Sequence, residues 1–104
     1  MEYKTAHFLK MSGVVPLSKR REFEQTFRFV SNQLPPDCLQ CNISADESDA
    51  GLYHFYSLWT SAESRDRFLK SPECQVLEGA YQALGTLEQS IIGEQMADVK
   101  LFNQ

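Results

Sequence analysis

The stretch that most restricts how this chain can fold runs from Leu52 to Leu87. It opens with Leu52-Tyr53-His54-Phe55-Tyr56-Ser57-Leu58-Trp59, a run rich in β-formers. Leu52, His54, Tyr56 and Leu58 point one way; Tyr53, Phe55, Ser57 and Trp59 point the other. Both faces carry rings. A sheet with one solvated face has no need of that, so the pattern predicts a strand covered on both sides. Thr60-x-x-Glu63 then fits a capping box, in which a hydroxyl and a carboxylate satisfy two orphan amides. A short helix holding Phe68 and Leu69 is predicted to follow. Ser71-Pro72 restarts the chain as N-cap and first helical residue. Cys74, Leu77, Tyr81 and Leu84 recur at spacings of three, four and three, the core-facing stripe of a second helix. Val76, Ala80, Ala83 and Leu87 widen it, and Gly85 is the expected terminator.

The segments on either side complete the order. Tyr3 to Met11 alternates, with Tyr3, Thr5, His7, Leu9 and Met11 on one face and Lys4, Ala6, Phe8 and Lys10 on the other. Ser12-Gly13 and Pro16 break this strand. Leu17 to Leu34 reads as a long helix capped by Ser18, with Phe23, Phe27, Val30 and Leu34 as its apolar stripe. Pro35-Pro36 ends it. Cys38 to Ser44 is a strand with Leu39, Cys41 and Ile43 on one face. Ala45 to Gly51 is a polar hairpin loop. From Glu88 to Leu101 the pattern is strand-like again, and Gly93 could mark a bulge.

The resulting order, β-α-β-β-α(α)-β, predicts an α+β fold over residues 1–104 as one domain. The architecture is ferredoxin-like, a four-stranded antiparallel sheet with helices on one face. The uncovered sheet face predicts a second copy packed against it, giving a dimeric α+β barrel. The length of the last strand, ~45 Å if fully extended, points the same way, because an overhanging strand needs a partner.

Composition narrows the functional classes. The net charge of −4 opposes non-specific nucleic-acid binding, which needs Lys and Arg on phosphates. The basic run Lys19-Arg20-Arg21 is followed by Glu22 and Glu24 and reads as a solvated helix face. No apolar run approaches the ~20 residues that span a membrane, and Met1-Glu2-Tyr3-Lys4 does not resemble a targeting peptide. The three cysteines, Cys38, Cys41 and Cys74, predict reduced thiols and a cytoplasmic setting. Cys38-Leu39-Gln40-Cys41 has the letters C-x-x-C. It lacks the second pair a zinc ribbon needs and the strand-to-helix context of a redox motif, so it reads as two thiols on a strand. No glycine phosphate loop, metal-ligand cluster or Ser/His/Asp arrangement is legible.

With these residues in place the chain resembles the antibiotic biosynthesis monooxygenase domains of the dimeric α+β barrel superfamily. The likeness rests on the element order, the Pro and Cys-Leu stretch before the second strand, Leu58-Trp59-Thr60-Ser61-x-Glu63, Phe68-Leu69-Lys70-Ser71 and the amphipathic helix after it. It spans roughly residues 3–101. The resemblance implies a homodimer with an aromatic pocket that needs no cofactor and no metal, and either of two activities. One is monooxygenation of a small aromatic phenol or quinol. The other is non-catalytic binding of a small apolar ligand, as in a stress-related module. A haem-degrading branch of that family uses a Trp and a His where this chain has Phe68 and about Glu78, which ranks haem handling lowest. Many members carry a His before the Ser-Pro step, where this chain has Phe68 or Leu69; that departure favours the binding module.

The residues for such chemistry are few. His7 and His54 are the only imidazoles and the candidate bases for taking a phenol proton. Trp59 matches the strand-end Trp of the family and is the third catalytic candidate, with core packing as its alternative role. Tyr53, Phe55, Tyr56, Phe68 and Tyr81 are the candidate substrate contacts, through ring faces and hydroxyls.

Overall fold

The computed structural model describes residues 3–98. Its elements are β1 (Tyr3–Val14), a 3-10 turn (Leu17–Lys19), α1 (Arg20–Ser31), β2 (Cys38–Ala45), β3 (Leu52–Trp59), α2 (Ala62–Leu69), α3 (Pro72–Leu84) and β4 (Thr86–Asp98). The four strands form one antiparallel sheet in the order β2-β3-β1-β4. This is the expected ferredoxin-like fold.

The stripes foreseen in the helices are the faces that bury. Phe23 and Val30 of α1, Phe68 of α2 and Cys74, Leu77 and Tyr81 of α3 meet Leu9, Met11, Tyr53, Phe55 and Trp59 in a single core. The sheet residues in that core share one face, so all three helices lie on the same side. The other face carries Phe8, Lys10 and Ser12 opposite Leu58, Tyr56 and His54. Phe8 and Tyr56 stack at 5.9 Å.

Several local expectations are corrected. Ser18 caps no helix: it sits in the 3-10 turn, and α1 begins after Lys19 with no side-chain cap. The capping box shifts by one residue, since Ser61 rather than Thr60 accepts from the amide of Ser64 at 3.1 Å. A Ser hydroxyl one residue nearer the first turn reaches that amide with the backbone still extended. Ser71 caps α3 as expected, accepting from Cys74 at 3.1 Å. Gly85 ends α3 without a left-handed turn, its φ being −163°. Its role is steric, because a Cβ there would lie 1.8 Å from the Val14 carbonyl oxygen.

The irregularities of the sheet also fall elsewhere. Gly93 holds no bulge; it lies under the Phe8 ring, which a Cβ would meet at 2.6 Å. The β1–β4 register shifts between Ser12 and Gly13 instead, where Gly13 lets the Tyr81 ring and the Thr86 carbonyl approach. Ser12-Gly13 therefore does not end β1, and the extra residue of the irregularity, Glu88, lies on β4. With β1 continuing to Val14, the described part of β4 is paired along its length, from Asp98 opposite Tyr3 to Thr86 opposite Val14. It does not overhang, and residues 99–101 of the expected strand lie outside the described residues. Leu39 leaves the face assigned to it with Cys41 and Ile43, because β2 is bulged between Cys38 and Gln40.

Candidate functional site

A cavity of about 220 Å³ opens where the segment after α1 meets the α2–α3 junction. Two proline breaks create it. Pro35-Pro36 turns the chain from α1 into β2, and Ser71-Pro72 turns it from α2 into α3. Leu34 and Pro35 form one apolar wall, Trp59 and Phe68 the other. The aromatic wall continues into the core as a run of rings in contact. Trp59 and Phe68 are 5.1 Å apart between ring centroids, and Phe68 lies on Phe55 at 6.2 Å.

The polar groups at this cavity divide by what they already do. Ser64 donates to the carbonyl of Ser61 at 3.0 Å, and Ser71 to that of Phe68 at 2.6 Å. Both hydroxyls serve helix starts. Asp37, Arg67 and Glu73 supply the charge around the opening. Trp59 is fully buried, and its indole N–H donates to Ser57 Oγ at 2.9 Å. Ser57 in turn donates to the Leu9 carbonyl at 3.3 Å. Trp59 thus borders the cavity from behind, without accessible surface of its own, and its N–H is held inside the protein.

The other sequence candidates lie apart. His7 is opposite Trp59 in the β1–β3 register and so belongs to the helix-facing side, but it does not line the cavity. His54 is on the reverse face. Its Nδ1 is 2.8 Å from Ser12 Oγ and its Nε2 3.2 Å from Asp46 Oδ2. Asp46 also accepts from the amides of Ser48 and Asp49, at 2.8 and 2.9 Å. The bond from His54, with those two amides behind it, holds the pKa of the Asp46 carboxyl below its ordinary range. Tyr56 shares that face; its hydroxyl donates to Gln95, and burial raises its pKa. Tyr53, Phe55 and Tyr81 are core residues. Arg20 donates to the Tyr53 hydroxyl, with its guanidinium 5.4 Å from the ring centroid, and Tyr81 donates to the Tyr53 carbonyl at 3.2 Å.

Of the residues singled out in the sequence, the cavity brings together only Trp59 and Phe68. Asp37, Arg67 and Glu73 escaped sequence reasoning because they belong to three segments with no common motif. The one available signal was the pair of proline junctions that bracket the cavity. The Ser12–His54–Asp46 chain was equally hidden, because strand register alone makes Ser12 and His54 neighbours across 42 residues. Among the described residues, no group of three or more His, Cys, Asp or Glu side chains converges in a way that could hold a metal ion. No helix among them is long and apolar enough to cross a membrane.

No family model matches the chain, and no curated protein matches it in sequence. Solved structures do match in fold. A protein from Chloroflexus aurantiacus J-10-fl superposes with a TM-score of 0.70 at 17% identity, covering 89% of this chain and 95% of its own. One from Caulobacter crescentus CB15 gives 0.73 at 16%, covering 91% and 92%. One from Nitrosomonas europaea gives 0.73 at 10%, covering 95% of each. All three bear the name putative antibiotic biosynthesis monooxygenase. A fourth, from Bacteroides thetaiotaomicron VPI-5482, matches at 0.67 and 10% identity over 90% and 98%, and is named a conserved protein of unknown function and possible oxidoreductase. The chain therefore has the fold of the antibiotic biosynthesis monooxygenase domains along nearly its whole length.

Proposed function

We propose that the chain is a cofactor-independent monooxygenase that oxidises a one-ring phenol or hydroquinone in the Trp59–Phe68 cavity. The aromatic wall of that cavity, with Arg67 at its opening, is the observation that carries this reading. Size narrows the substrate. A cavity of about 220 Å³ exceeds the ~150 Å³ that encloses benzene and falls short of the ~300 Å³ typical of larger ligands. A one-ring substrate matches that volume better than a fused three-ring anthrone.

The chemistry follows from deprotonation. A phenolate is electron-rich enough to reduce oxygen directly. For phenol itself, phenol and dioxygen in equal amounts give benzoquinone and water. One oxygen atom enters the ring, and the other leaves as water with the two hydrogens the phenol loses. Arg67 would hold the phenolate oxygen by a charge-assisted bond. His7, cross-strand from Trp59, is the histidine on the same side of the sheet and the favoured base. His54, with Ser12 and Asp46 at its two nitrogens on the reverse face, is less suited to reach this substrate. The test is oxygen uptake by metal-stripped protein across a hydroquinone series, with His7→Ala, His54→Ala and Arg67→Ala beside it. Uptake abolished by His7→Ala alone among the histidines would support the assignment, and equal rates in all variants would refute it.

A second reading has its own support: no imidazole is among the described residues lining the cavity, and the indole N–H is committed to Ser57. On that reading the chain binds a small aromatic ligand without turnover. Thermal stabilisation by hydroquinones with no oxygen uptake would favour it.

In both readings a second copy of the chain covers the sheet face that carries Phe8, Tyr56, Leu58 and the exposed Ile91. Light scattering at micromolar concentration tests this, and a monomeric mass would refute it. The thiols suit a cytoplasmic setting.

A further inference from the structure

The C-x-x-C letters of β2 carry no redox signal in the sequence, because residues three apart on a strand point to opposite faces and stand ~10 Å apart. The bulge removes both objections. Leu39 drops out of the β2–β3 register, leaving Cys38 opposite Trp59 and Cys41 opposite Ser57. Trp59 and Ser57 are two residues apart on β3, so the two thiols share the helix-facing side. Two strand residues place their α-carbons ~6.7 Å apart. That lies at the long end of the ~4.4–6.8 Å range a disulfide spans. Both side chains pack against the core edge, yet both stay partly accessible on an edge strand.

The two thiols are also unequal. The Cys38 thiol donates to the Gln40 carbonyl at 3.3 Å, and its pKa lies below the ordinary value, with the neighbouring Cys41 thiol as the first cause. Cys41 is pushed the other way by the neighbouring Cys38 and by burial. Cys74 is different in kind. It is fully buried, and burial with the neighbouring Glu78 carboxylate pushes its thiol up to about 12.

We propose that Cys38 and Cys41 form a reversible dithiol–disulfide couple that exchanges with low-molecular-weight disulfides. Cys38 is the attacking thiol and Cys41 the resolving one. The Cys38 thiolate attacks one sulfur of RSSR. A mixed disulfide forms on Cys38, and one RS⁻ departs with a proton from solvent. Capping Cys38 removes the neighbouring thiolate charge that raised Cys41. The Cys41 thiolate then attacks the Cys38 sulfur, closes the internal disulfide and releases the second thiol. Overall, two protein thiols are oxidised and RSSR is reduced to two RSH.

The position of the couple gives it a readout. Asp37 precedes Cys38 in the chain, Trp59 faces Cys38 across the strands, and both line the cavity. Drawing Cys38 towards Cys41 shortens a spacing at its upper limit, so closure moves the cavity wall.

The experiment treats the folded full chain with graded ratios of oxidised to reduced glutathione, then counts thiols after denaturation and maps the linkages by mass spectrometry. The expected result is a fall from the three thiols of the sequence to one, with Cys74 the free residue. A Cys38–Cys41 peptide should appear and be reversed by dithiothreitol, and Trp59 fluorescence should change with the same midpoint. Cys41→Ser should arrest at a glutathione adduct on Cys38, Cys38→Ser should form no internal link, and Cys74→Ser should behave as the parent. Three free thiols in oxidised glutathione, a link that involves Cys74, or a folded Cys41→Ser protein that gains no adduct would each overturn the proposal.

Discussion

Ser57→Ala tests whether Trp59 is anchored as the structure has it. Ser57 is fully buried, accepts the indole N–H of Trp59 at 2.9 Å and donates to the Leu9 carbonyl at 3.3 Å. Alanine fits the space but leaves the indole N–H buried without an acceptor. Leaving one buried donor unmet costs about 1–3 kcal/mol. For a domain of this size, about 2 kcal/mol lowers Tm by roughly 8–16 °C. The informative form is a cycle with Trp59→Phe, which removes the donor. With no N–H left to satisfy, Ser57→Ala should then cost far less, and the coupling should be about 1–2 kcal/mol. Urea unfolding of the four proteins, with m unchanged, measures it. If Ser57→Ala costs the same with Phe at position 59 as with Trp, to within ~0.3–0.5 kcal/mol, the hydrogen bond does not anchor the ring. The reasoning that places the N–H outside the chemistry then fails.

Three further outcomes are expected. Gly85→Ala forces a Cβ to within 1.8 Å of the Val14 carbonyl and should destabilise by about 1–3 kcal/mol, whereas Gly79→Ala, at an exposed position of α3 with nothing within 4 Å, should stabilise by about 0.5–1 kcal/mol; chemical denaturation separates them. Because Asp46 titrates below its ordinary value of 3.8, the tie it provides is present above that pH and lost as pH falls through the lower folded value. The amides of Ser48 and Asp49 should therefore lose exchange protection in that acid window, and Asp46→Asn should remove the pH dependence. Timed alkylation of the reduced native protein at mildly alkaline pH should label Cys38 first and Cys74 last, following thiolate availability; early labelling of Cys74 would contradict its burial.

The helical part of this fold was legible because its signals are local. Phe23 with Val30 and Leu77 with Tyr81 bury as their periodicity says, and Ser71-Pro72 starts a helix because capping uses only neighbouring residues. The strand irregularities were not legible, because a bulge is decided between two strands. Nothing in Cys38-Leu39-Gln40-Cys41 says that Leu39 will lose its partner. Nothing in Ser12-Gly13 says that β1 will continue to pair as far as Val14.

The same division governs the site. Trp59 was identified from sequence by its match to the family's strand-end Trp, and Phe68 as a candidate ring contact in the short helix that follows. The sequence by itself determined the element order, the aromatic character of the cavity wall and the scarcity of histidine. Only the tertiary structure decided which histidine shares a sheet face with Trp59, which carboxylates and guanidinium surround the opening, and whether two cysteines three apart share a face. Those depend on register, where a shift of one residue turns every side chain to the opposite face, and on how two proline junctions converge. Neither is set by any residue acting on its neighbours alone.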